Sequence, residues 1–121
     1  MKKLVVALAL AISTPVLADF AGSYEKPNGI LEIKREGDGL RFTLDSSVDD
    51  HVCGLEGTAR IVDETRAAFT PEDPEDECVA VFGITEDGIR VLTRSCFAYC
   101  GLNAHGSMDG YYKRVSPAPG A

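Results

Sequence analysis

The sequence predicts an all-β fold, a small antiparallel up-and-down β-barrel of about eight strands stapled by disulfides. Three observations carry that prediction. Apolar and polar residues alternate with period two along much of the chain, as in strands buried on one face. No segment after residue 18 sustains a helical period. Four cysteines, Cys53, Cys78, Cys96 and Cys100, form an even set in a chain too short to build a large core.

The N-terminus precedes the fold. Lys2 and Lys3 are followed by an apolar run from Leu4 to Ile12, then by small residues at Val16 and Ala18. That order is the order of an export signal, and the run is too short to cross a bilayer, which needs about 20 residues. The expectation is cleavage after Ala18 and a periplasmic protein with no membrane attachment. Removing residues 1–18 leaves 103 residues with 10 basic and 19 acidic side chains, a net charge of −9. One domain, 19–115, fits that length, and the tail 116–121, "SPAPGA", is expected to be disordered.

Within the domain, "LRFTLD" places Leu40, Phe42 and Leu44 on one face and Arg41, Thr43 and Asp45 on the other. "CGLEGTARI" aligns Cys53, Leu55, Ala59 and Ile61, and "CVAVFGI" aligns Cys78, Ala80, Phe82 and Ile84. With the turn signals "EKPNG", "EGDG", "VDET" and "EDG", strands are expected near 20–25, 30–35, 40–45, 51–62, 65–70, 78–85, 89–95 and 106–115. An up-and-down order then puts turns 36–39, 63–64 and 86–88 at one end. Connections 26–29, 46–50, 71–77 and 96–105, mostly longer, fall at the other. An even strand number makes the first and last strands antiparallel, so they can close a barrel. "FAGSYEK" and "MDGYYKR" echo one another across that seam: Phe20, Gly22 and Tyr24 match Met108, Gly110 and Tyr112. A barrel of this size is expected to be filled by its own side chains rather than by a ligand.

This order gathers all four cysteines at one rim. Three pairings are open. Shared inward parity favours Cys53–Cys78, which leaves Cys96–Cys100 and demands a tight turn at "CFAYC", because a straight strand would hold those two about 13 Å apart. The three-residue spacing and the all-β setting argue against a thioredoxin-type redox site. A soft metal site is the alternative reading, with Cys96, Cys100, His105, Met108 and His51 as possible ligands. Solvation of a charged loop is the plain reading of the acidic stretches "DSSVDDH" and "TPEDPEDEC". The same stretches also form a field that would attract a basic protein.

The segment "CFAYCGLNAHGSMDGYYKR" resembles the C-terminal signature of small exported β proteins of Gram-negative bacteria. With the signal, size and cysteines, the chain is loosely similar to the periplasmic lysozyme inhibitors. That resemblance implies a β-barrel and a partner-facing loop, and "HGSMDGYY" holds the Gly-Ser and Tyr that such loops favour. The expectation is a non-catalytic binding protein that engages a cationic protein, with a lysozyme-type hydrolase as the concrete candidate. The expected contacts are Asp49, Asp50, His51, Glu72, Asp73, Asp76, Tyr99 and His105. No G-x-S-x-G nucleophile motif occurs. No enzyme activity, cofactor, resident metal or nucleic-acid partner is expected; a small enzyme of unknown class is the third reading, with only His51 and His105 available as neutral-pH bases.

Overall fold

The computed structural model describes residues 19–101, 104 and 106–116. The export signal expected in 1–18, the tail 117–121 and His105 lie outside the described residues.

Eight strands follow in order: β1 (Gly22–Lys26), β2 (Gly29–Glu36), β3 (Gly39–Val48), β4 (His51–Asp63), β5 (Arg66–Phe69), β6 (Val79–Ile84), β7 (Gly88–Arg94) and β8 (Gly110–Ser116). Each pairs antiparallel with its sequence neighbour, and β8 pairs with β1, closing the barrel. The alternation read from sequence is the alternation of burial. Leu40, Phe42 and Leu44 are buried while Arg41, Thr43 and Asp45 are exposed. Cys53, Leu55, Ala59, Ala80 and Phe82 point inward too. Phe42 stacks edge-on against Phe69 at 5.1 Å between ring centroids and tilts against Phe82 at 4.9 Å. Such aromatic pairs fill the centre of a small barrel and add about 0.5–1.5 kcal/mol each beyond area burial.

Several boundaries differ from expectation, most of them at the ends of β1, β3 and β8. Connection 26–29 is a tight turn at Pro27–Asn28, and 46–50 tightens to Asp49–Asp50, because β3 runs on to Val48 and β4 starts at His51. Asp49 adopts φ 55°, a conformation that a short acidic side chain tolerates in turns. β8 begins at Gly110, not 106, because the residues before it fold over the barrel mouth, and it extends through Ser116, one residue into the expected tail.

The echo of "FAGSYEK" and "MDGYYKR" is a repeated closure device. Tyr24 donates its hydroxyl proton to the Phe20 carbonyl at 2.6 Å, and Tyr112 donates to the Met108 carbonyl at 2.7 Å, each reaching back four residues. Gly22 and Gly110 stand between with φ 149° and 136°, backbone that favours glycine. Two residues beyond each tyrosine comes a cation that crosses the seam. Lys26 lies 5.3 Å from the Tyr112 ring centroid and donates to the carbonyls of Ser107 and Asp109. Arg114 lies 4.9 Å from the Tyr24 ring centroid and donates to the carbonyls of Ala21 and Asp19. The two halves of the clamp use equivalent positions and bind each other reciprocally.

Candidate functional site

The end of the barrel formed by the β1–β2, β3–β4, β5–β6 and β7–β8 connections carries the cysteines and the acidic loops. Its organiser is the long β7–β8 connection. Ser95, at φ 61°, turns the chain off β7. Cys96 then bonds Cys78 at the start of β6, with Cα atoms 4.4 Å apart. A 3-10 turn, Phe97–Tyr99, carries the chain to Cys100, which bonds Cys53 on β4 with Cα atoms 3.9 Å apart. The Gly101 amide continues that junction by donating to the Val52 carbonyl at 2.8 Å.

These pairings correct the sequence reading of Cys53–Cys78 and Cys96–Cys100. Cys53 and Cys78 do share inward parity, but β5 separates their strands. β6 and β7 are neighbours, so Cys78 and Cys96 meet at their ends. The tight turn expected at "CFAYC" exists, yet it aims Cys96 at the start of β6 and Cys100 at β4, on either side of β5.

Beyond Cys100 the connection enters the mouth. Ala104, Ser107 and Met108 are buried there. The Ser107 hydroxyl meets that of Ser46, also buried, at 2.7 Å. Lys26 fixes the same segment through its two carbonyl contacts, and burial lowers the pKa of that ammonium, opposed by the Asp109 carboxylate. The described part of that stretch, from Gly106 to Tyr112, therefore closes the barrel, and its Gly-Ser is not offered to a partner at Ser107. Sequence reading missed Lys26, Ser46 and Ser107 in this role. The echo motif held the signal for Lys26, two positions past Tyr24.

The structure sorts the expected contact residues. Tyr99 and Asp76 are brought together, the phenol donating to Asp76 Oδ2 at 2.5 Å. That bond and the Cys78 amide, 3.0 Å from Oδ1, hold the Asp76 carboxyl below its ordinary pKa. The same bond, then desolvation, pushes the Tyr99 phenol up. Asp73 folds the loop around itself, accepting the Glu75 amide on Oδ1 and the Asp76 amide on its carbonyl. Glu72 and Asp73 are exposed. On the other side of the 3-10 turn, Asp49 and Asp50 are exposed at the β3–β4 tip, and His51 packs beside Gly101. The β7–β8 connection thus bridges the two acidic segments. Asp45 belongs to the barrel wall instead, outward on β3.

The rim also exposes apolar surface. Phe97 is 66 % exposed and Val52 63 %. All four sulfurs are in disulfides and cannot serve as thiolate ligands. Among the described residues, no three His, Cys, Asp or Glu side chains converge as a metal-holding group. No protein-family model, curated protein or solved structure matches the chain.

Proposed function

We propose that this is a periplasmic, non-catalytic binding protein whose acidic rim engages a cationic protein, a lysozyme-type hydrolase being the concrete candidate. One observation carries the reading. Exposed carboxylates at Asp49, Asp50, Glu72 and Asp73 flank exposed apolar side chains at Phe97 and Val52 on loops tied together by both disulfides. Apolar anchors supply affinity, surrounding charges supply steering and orientation, and cross-linked loops lose little entropy on binding. Export, read from residues 1–18, supports a compartment where such disulfides persist.

The test has two arms. The immobilised protein is exposed to periplasmic extract and eluted with a salt gradient. A basic protein released at moderate salt is expected, and absence of any salt-sensitive basic partner contradicts the proposal. Separately, lysis of a cell-wall suspension by cationic lysozymes is followed with increasing amounts of the protein. Saturable inhibition relieved by salt is expected. No inhibition of any lysozyme class removes the hydrolase candidate.

A further inference from the structure

Next to the β3–β4 tip, the outer barrel wall holds a groove of about 620 Å³. Its floor and sides come from one cross-strand row and the row above it. The first row runs Glu25 on β1, Ile30 on β2, Asp45 on β3 and Gly54 on β4, each paired with the next. The second places Val52 opposite Ser47, whose carbonyl accepts the Asn28 side-chain amide at 2.8 Å. Ile30 is 48 % exposed and Val52 63 %.

Gly54 makes the depression, and the fold does not require it there. An added Cβ would stand 3.5 Å from Asp45 Oδ1, an ordinary contact, and Gly54 is not among the positive-φ glycines. Gly57 on the same strand differs: an added Cβ would come within 2.4 Å of the Phe69 ring. A strand-interior glycine without a packing reason weakens the strand and marks a place where something else approaches the backbone. The charges say what. Lys26 borders the groove, but its ammonium is turned to the Ser107 and Asp109 carbonyls at 2.6 and 2.8 Å. Glu25 and Asp45 remain as the exposed charged groups, one on each side of Ile30.

We infer that this groove receives a long cationic side chain, arginine or lysine, from the basic partner of the rim, its methylenes on Ile30 and Val52 over Gly54 and its charged head at Asp45 or Glu25. Long basic side chains bury their stems on apolar surface while the head meets a carboxylate. The inference rests on the rim-binding proposal and adds an anchoring subsite to it.

The test is an amide-shift titration of the ¹⁵N-labelled, disulfide-bonded protein with acetyl-Ala-Arg-Ala-amide and acetyl-Ala-Lys-Ala-amide. The neutral citrulline analogue is the control. Saturable shifts at Ile30, Asp45, Val52 and Gly54 are expected, roughly tenfold weaker with citrulline. Gly54→Leu, which fills the floor, should abolish them while leaving the rest of the spectrum in place. If that variant does not give a folded spectrum, Asp45→Asn takes its place, with the same loss expected. Shifts that persist in a folded groove variant overturn the inference. Shifts confined to Asp49, Asp50, Glu72 and Asp73 also overturn it but leave the rim proposal standing. No shift anywhere counts against both.

Discussion

Lys26 and Arg114 do the same work from opposite sides of the β1–β8 seam. Each covers a tyrosine ring and satisfies two backbone carbonyls. Lys26→Met should keep the stem but leave the Ser107 and Asp109 carbonyls without that donor. Urea denaturation is expected to show a loss of about 1–3 kcal/mol, and Arg114→Met a loss of the same order. A loss confined to one variant would contradict the reciprocal clamp. The tyrosines make a second prediction. All four are held above the ordinary phenol pKa: Tyr24 by burial, to about 12, Tyr112 by burial, Tyr99 by its bond to Asp76, and Tyr111 by its bond to Asp87. A pKa raised by folding contributes stability that is complete below the unfolded value and lost as pH rises through the folded one. Lys26, lowered by burial, acts in the opposite sense, one group against four. Phenolate absorbance of the native protein should therefore lag behind that of the unfolded chain above pH 10, and stability should fall there. A native titration curve superimposing on the unfolded one would refute this.

At the scale of elements, the disulfides set the shape of the rim. Cys53–Cys100 spans 47 residues and Cys78–Cys96 spans 18. Removing either pair should cost about 2–4 kcal/mol, and the longer span about 1 kcal/mol more in the chain-entropy account, as measured by denaturant midpoints of the double-alanine variants. Proteolytic mapping that cuts between Cys96 and Cys100 should leave the two on different cross-linked peptides. The barrel itself was legible in the sequence because period two marks the inward face of β3, β4 and β6, and an even strand count lets the ends meet. The pairing follows strand order rather than parity: Cys53 and Cys78 both point inward, but the up-and-down order puts β5 between them and brings the ends of β6 and β7 together. The cap was hidden in the sequence. "GSMDGYY", from Gly106, reads as strand or loop until Ser46 and Lys26, distant in sequence, are seen to hold Ser107 and Asp109. Gly54 looked like any strand glycine until its surroundings showed room for a side chain.

Across the barrel wall, charge is uneven. β5, β6, β7 and β8 contain Arg66, Arg90, Arg94, Lys113 and Arg114 and no carboxylate at all. β1 to β4 are mixed, with the carboxylates Glu25, Glu32, Glu36, Asp45, Glu56 and Asp63 beside the cations Lys26, Lys34, Arg35, Arg41 and Arg60. A basic partner would thus be turned away from the β5–β8 wall and toward the acidic rim. Association should slow as salt rises, with the main effect on the on-rate, and Asp49→Asn with Asp50→Asn should weaken that salt dependence in stopped-flow measurements. Unchanged salt dependence would place the contact elsewhere.

On the proposed function, this end of the barrel is the binding end. Hydrogen–deuterium exchange of the protein, free and saturated with the basic partner eluted by salt, tests it most directly. Protection is predicted over 46–54, 70–78 and 96–101, with no change at the opposite turns 36–39, 63–66 and 84–88. Protection concentrated at those opposite turns or on the outer face of β5–β8 would contradict it.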